Sequence, residues 1–241
     1  MASEEEMERY SRQILLPGWN QEKLKQATAL IVGLGGLGSA SALYLAAAGI
    51  GRLRLCDGSR VERSDLNRQV LYGESSIGLP KVEEAGQRIA ALNPSVKLEK
   101  INVFLDSYKA GELLKGCQVI VDGLDNLGSR FILNQESLKK RIPYIYGAVH
   151  GWLGYAGFFL PPQTGCLACL MQPNLSQPEL VPVFGAVPGI IGLVQATEAI
   201  KWIQGITPSL LGRLLIYDGL NLTFDIVTVE KNPSCPLCSK A

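Results

Sequence analysis

Four short runs in this 241-residue chain carry residue types at spacings that can do chemistry. The first is Leu30-Ile31-Val32-Gly33-Leu34-Gly35-Gly36-Leu37-Gly38, an apolar strand running into Gly-x-Gly-x-x-Gly. Gly33, Gly35, Gly36 and Gly38 would permit a tight turn and bring a phosphate close to backbone N–H groups at a helix N-terminus. Asp57 lies 19 residues past Gly38, at the end of the next apolar run. A carboxylate there can accept hydrogen bonds from both ribose hydroxyls. The pattern fits a dinucleotide or ATP equally, and a ligand-free strand–helix turn would use the same glycines.

The second run is Ser64-Asp65-Leu66-Asn67-Arg68-Gln69. With Asp57 on a ribose, this segment lies near the phosphates, and Arg68 can fork onto phosphate oxygens. Lys81 follows, in the first turn of a helix beside Pro80. A cation there opposes the helix dipole by about 0.3–1 kcal/mol, which an anionic ligand would offset. The alternative is two solvated surface charges. The third run, Val119-Ile120-Val121-Asp122-Gly123-Leu124-Asp125-Asn126, is a buried strand ending in two carboxylates. Carboxyl ends of strands in such sheets line the ligand crevice. Asp125 is placed to hold Mg²⁺, which takes few protein carboxylates plus phosphate oxygens. Capping of the next helix by Asp125 or Asn126 is the competing use, and both can coexist.

The fourth feature is a pair of knuckles, Cys166-Leu167-Ala168-Cys169 and Cys235-Pro236-Leu237-Cys238. Four thiolates suit a closed, tetrahedral, structural Zn²⁺ site that would pin the C-terminal tail to the middle of the chain. A dithiol redox pair is the rival use. Cys56 and Cys117 sit at strand ends in apolar company and read as small buried hydrophobes. His150 is the sole histidine, follows a strand, and reads as structural.

The elements that must position these groups alternate. Residues 7–27 read as a helical arm broken at Pro17-Gly18. Strands are predicted over 28–32, 52–56, 97–102, 118–121 and 144–147, and helices over 39–48, 80–92 (Pro80 in its first turn) and 127–140. This alternation implies a Rossmann-like, mostly parallel sheet with helices on both faces. Later strands over 152–160, 213–217 and 222–229 extend it, the last with Leu222, Phe224 and Ile226 on one face. Residues 161–188 form a long connection around the first cysteine pair, and 189–204 a buried helix. The whole is read as one domain over 1–241. It has a helical arm (1–27), a nucleotide-binding half (28–150) and a second half with antiparallel strands, the zinc site and a partner-binding face (151–241).

Composition bounds the rest. Lys plus Arg is 23 against 22 Asp plus Glu, so the formal charge of +1 argues against a broad nucleic-acid or anionic-membrane surface. A chain of this length can bury about 70–75% of its unfolded surface and needs no disulfides. The acidic start is unlike a secretory signal, and the longest apolar stretch, 189–203, is interrupted by charge. The protein is therefore expected to be soluble and cytoplasmic, with its paired cysteines on metal rather than bridged.

Taken together, these runs resemble the MoeB/ThiF/HesA family, relatives of the ubiquitin-activating enzymes. The resemblance covers nearly the whole chain, from Arg9-Tyr10-Ser11-Arg12-Gln13-Ile14 to the last cysteine pair. It includes Asp65-Leu66-Asn67-Arg68-Gln69, Gly78-Leu79-Pro80-Lys81-Val82-Glu83 and Gln195-Ala196-Thr197-Glu198-Ala199-Ile200-Lys201. It implies adenylation of the C-terminal glycine carboxylate of a small ubiquitin-like sulfur carrier ending in Gly-Gly, of the kind serving molybdopterin or thiamine thiazole synthesis. It also implies ATP with Mg²⁺, structural zinc and a homodimer. By matching positions, Gly36 would lie at the phosphate loop, Asp57 on the ribose, Arg68 and Lys81 on phosphates, and Asp125 at the magnesium. Arg12 matches an arginine that reaches into the partner subunit's site.

The chemistry suits a chain with one histidine. The nucleophile belongs to the substrate, and positioned cations lower the barrier between two anions. Two departures stand out. Ser59 occupies a position where many relatives carry a second acid. No cysteine lies in 175–187, where many relatives place one for thioester or persulfide transfer. Adenylation without a cysteine-linked intermediate is therefore expected. Two alternatives are an NAD-linked oxidoreductase, which leaves Arg68, Lys81 and Asp125 unexplained, and a non-catalytic binder of a ubiquitin-like protein.

Overall fold

The apolar runs pair into one sheet. A computed structural model describes residues 4–172 and 181–239. Eight strands lie in the order β3-β2-β1-β4-β5-β6-β7-β8. They are β1 (Thr28–Val32), β2 (Arg52–Cys56), β3 (Lys97–Ile101), β4 (Val119–Asp122), β5 (Tyr144–His150), β6 (Leu153–Phe159), β7 (Arg213–Asp218) and β8 (Thr223–Thr228). The first five pair in parallel and the last three antiparallel. β1 and β4 are buried along nearly their whole length. That is the reason for their unbroken runs, since a parallel sheet is covered on both faces.

Nine α-helices are described: α1 (Glu4–Arg9), α2 (Ser11–Ile14), α3 (Gln21–Gln26), α4 (Gly36–Ala47), α5 (Lys81–Leu92), α6 (Ser107–Leu113), α7 (Leu127–Lys140), α8 (Leu167–Leu170) and α9 (Ala186–Gln204). One core face joins α4, α5 and α9 to β1, β2 and β4 through Leu37, Leu45, Val82, Ile89 and Ile191. The other packs Leu113, Leu133, Tyr144 and Phe159 beneath α6 and α7. α4 is built of small residues and carries buried Ala40, Ser41 and Ala42. Gly192 of α9 meets it so closely that a Cβ would lie 2.4 Å from the Leu37 carbonyl oxygen.

The expected alternation holds, with local differences. α4 begins at Gly36 rather than Ser39, because Gly35 itself is the N-cap. Pro80 is the N-cap of α5 rather than part of its first turn. α6 is not foreseen: it is seven residues long, buries only Ala110 and Leu113, and gives no periodic stripe to read. α9 starts three residues early and accommodates Pro188 in its first turn, where no helical N–H bond is lost. Leu222 falls outside β8, in a left-handed turn with φ 55°. Residues 173–180 of the 161–188 connection lie outside the described residues.

Candidate active site

The chain leaves β3 at one edge of the sheet and returns as β4 on the far side of β1. A crevice opens at the carboxyl ends where strand order reverses in this way. Here it is a cleft of ≈ 650 Å³ lined by the Gly33–Gly36 turn, Asp57, Arg68, Lys81 and Asp125.

Backbone approach shapes its floor. Gly33 has φ 87°, and a Cβ on it would lie 2.5 Å from the Gly123 carbonyl oxygen. A Cβ on Gly38 would lie 1.9 Å from the Gly33 carbonyl oxygen. Gly38 therefore serves close packing of α4 under the turn and does not line the cleft. Asp57, at the end of β2, accepts hydrogen bonds from Leu34 N (2.8 Å) and Ser59 N (2.7 Å). Its carboxylate is thereby oriented by backbone before any ligand arrives.

Asp65 is the hub of the basic cluster and is only 6% exposed. Oδ1 accepts from Gln69 Nε2 (2.6 Å) and Arg68 Nη2 (3.3 Å). Oδ2 accepts from Glu62 N (3.0 Å) and faces Lys81 Nζ at 3.2 Å. Lys81 is buried, so it is not a solvated surface charge. Two cations converge on one carboxylate, so this three-residue cluster carries a net positive charge. Arg68 is further steadied by Ser64 O (2.7 Å) and Asn67 Oδ1 (3.0 Å). Ser64, Leu66 and Asn67 do not line the cleft; Leu66 packs on the core.

The two carboxylates after β4 have different environments. Asp122 is fully buried, and burial pushes its carboxyl above the usual range more strongly than Arg130 pulls it down. Its oxygens are taken by Leu124 N, the Tyr144 hydroxyl and the Arg130 guanidinium. Asp125 is exposed in the cleft and accepts a hydrogen bond from the Asn126 amide at 3.3 Å. Asn126 lines the cleft and caps α7 through Ser129 N (2.9 Å). The turn therefore both caps a helix and leaves the Asp125 carboxylate exposed in the cleft, where a cation could reach it.

Gln69, Arg130 and Phe104 also line the cleft, and none is singled out by spacing alone. Arg130 donates to Leu124 O and to Gly147 O (2.8 Å), tying the β4–α7 turn to β5. Its only sequence signal is a cation one turn into α7. Arg12 is exposed on α2, outside the cleft. The neighbouring Gln13 bonds Ala48 O, at the far end of the 12-residue α4. That end is about 18 Å from the glycine turn.

Away from the cleft, the two knuckles meet. The Sγ atoms of Cys166, Cys169, Cys235 and Cys238 lie within 4.8 Å of one another, with 3.7 Å for Cys166–Cys235 and 3.4 Å for Cys169–Cys238. A tetrahedron of thiolates at about 2.3 Å from zinc spaces its sulfurs by about 3.8 Å, so the four could hold a metal ion. Cys56 and Cys117 are buried, and burial pushes their thiols up to about 12 and about 11, so they remain protonated packing groups. His150 is exposed at the end of β5. No helix among the described residues is long and apolar enough to cross a membrane.

Fold and cleft together define an α/β protein with a backbone-oriented carboxylate, Asp57, and two cations, Arg68 and Lys81, at the switch-point crevice. The ThiF family model matches residues 10–237. The sulfur carrier protein adenylyltransferase of Thermus thermophilus is 40% identical, covering 98% of this chain and 92% of that protein. The SAMP-activating enzyme E1 of Haloferax volcanii is 37% identical, covering 98% and 90%. A crystal structure of E. coli MccB with MccA matches with TM-score 0.88 at 24% identity, covering 99% of this chain and 76% of that one, a likeness of fold. The chain belongs to the ThiF family, in its MoeB/ThiF/HesA branch. It is an adenylyltransferase.

Proposed function

We propose that this enzyme uses ATP to adenylate the C-terminal glycine carboxylate of a small ubiquitin-like sulfur carrier ending in Gly-Gly, of the type serving molybdopterin or thiamine thiazole synthesis. The placing of Arg68 and Lys81 on one buried carboxylate, in the same cleft as the glycine turn and Asp125, carries the reading. The names of the Thermus thermophilus and Haloferax volcanii relatives support the choice of substrate.

A carboxylate oxygen of the carrier attacks the α-phosphorus. The bond from that phosphorus to the bridging oxygen breaks, and pyrophosphate leaves with the electron pair. Negative charge grows on the phosphate oxygens, where Arg68 and Lys81 oppose it. Their geometry is fixed beforehand by Asp65, so little reorganisation is needed as charge develops. Asp57 holds the ribose. The backbone N–H groups of Gly35 and Gly36 meet phosphate at the start of α4. Mg²⁺ bound at Asp125 would neutralise phosphate charge, and that exposed carboxylate suits it. Zn²⁺ at the four cysteines would be structural. Arg12, remote from its own cleft, is assigned to the partner's cleft in a homodimer. No cysteine-linked intermediate is formed, and the enzyme works in the cytoplasm without nucleic acid or membrane.

ATP–pyrophosphate exchange tests this directly. Exchange is expected only with a carrier bearing a free Gly-Gly end, and Lys81→Ala should lower it about 10²–10³-fold. No exchange across a panel of such carriers would reject the assignment. Mixing Arg12→Ala with Lys81→Ala subunits should restore activity if Arg12 acts across the dimer.

A further inference from the structure

The cleft has one wall that the phosphate and ribose groups leave unused. Beyond Asp57 it is apolar, built by Val32, Cys56, Val103, Phe104, Leu105 and Leu124. Five of these are buried or half-buried, and Phe104 alone is exposed, at 71%. Its ring belongs to neither face of the core, and among the described residues it stacks on no other ring. Most of the ring is therefore open to a ligand in the cleft.

One edge of it packs on backbone. The ring rests against Gly58: a Cβ on that glycine would lie 2.6 Å from Phe104 N and 2.8 Å from two ring carbons. Gly58 directly follows Asp57, whose carboxylate is oriented by Leu34 N and Ser59 N. The exposed ring therefore sits against the residue that follows Asp57, just past the ends of neighbouring strands β2 and β3. A nucleotide with its ribose on Asp57 and its phosphates toward Arg68 and Lys81 must direct its base the other way, along the apolar wall. A flat aromatic ligand is the one part of ATP that this wall can cover.

We infer that Phe104 is the platform on which the purine of ATP stacks, and that it sets nucleotide affinity rather than the rate of phosphoryl transfer. The inference rests on the nucleotide reading of the cleft. Stacking of a base on an aromatic side chain makes an alanine substitution there cost about 5- to 150-fold in affinity.

Titration calorimetry of the purified protein with ATP and magnesium provides the test, beside the KM for ATP in the exchange assay. Phe104→Ala should weaken ATP binding by about tenfold or more, with KM rising in step and kcat at saturating ATP falling far less. Phe104→Trp should restore affinity, and its added indole fluorescence should be quenched by ATP and AMP but not by pyrophosphate. If the unsubstituted protein binds ATP and Phe104→Ala binds it equally well, the stacking role is overturned while the nucleotide site stands. If the unsubstituted protein binds no ATP, both fall.

Discussion

Asp122→Asn breaks a buried ion pair while keeping the side chain's shape. Asp122 is completely buried, and Arg130 is 5% exposed with its Nε 3.3 Å from Asp122 Oδ2. Asparagine keeps the shape and an acceptor for Leu124 N, but its NH2 replaces Oδ2, so the charge and the acceptor facing the Tyr144 hydroxyl and Arg130 go together. Arg130 cannot lose its proton, and its guanidinium would stay buried over the Tyr146 ring, 5.2 Å from the centroid, without a counter-charge. Removing one partner of such a pair costs about 3–5 kcal/mol. The low end is expected, because Tyr146 and the carbonyls of Leu124 and Gly147 still face the cation. For a chain of this size about 3 kcal/mol lowers Tm by about 6–12 °C. Arg130→Met should cost less through charge, because a carboxyl can take up a proton once its partner is gone, the direction in which burial already pushes Asp122. Urea denaturation of both single variants and the double gives the coupling energy, expected at about 1.5–3 kcal/mol. A coupling below about 0.5 kcal/mol would refute the claim that each charge compensates the other.

Three further outcomes are expected. Glu99 is held below the usual carboxylate range by its hydrogen bond from Arg54, with Arg52 adding to it. Its contribution is complete above the usual value of 4.5 and fades as pH falls below that. The Tm difference between the unsubstituted protein and Glu99→Gln should therefore shrink in acid; a difference constant down to pH about 3 would contradict this. Gly38→Ala puts a methyl 1.9 Å from a backbone oxygen and should cost about 1–3 kcal/mol or more, whereas Gly73→Ala, with nothing within 4 Å, should be nearly neutral. Equal melting of the two would argue against close packing at the glycine turn. Metal analysis should give about one zinc per chain, lost with Cys235→Ser together with a lowered Tm, and a metal-free protein of normal stability would exclude the structural role.

Much of this site was legible in the sequence because its signals are local. The glycine turn and Asp57 are adjacent elements of one strand–helix–strand unit, and turn stereochemistry alone demands glycine at Gly33. Each cysteine pair is a self-contained chelating knuckle. The strands and longer helices announce themselves through apolar runs and periods. What only the tertiary structure decided lies where distant segments meet. It brings Cys166 to Cys235 across 69 residues. It makes Asp65 the shared partner of Arg68 and Lys81, a role that puts Asp65 behind the cations. It gives Asp122 to Arg130 and so leaves Asp125 open. It carries Arg12 away from its own cleft, and it sets Phe104 beside Asp57. Propensity and periodicity are properties of neighbours along the chain, whereas burial and charge pairing depend on strand order, and the reversal of that order at β1 brings Asp57, Arg68, Lys81, Phe104 and Asp125 to one cleft.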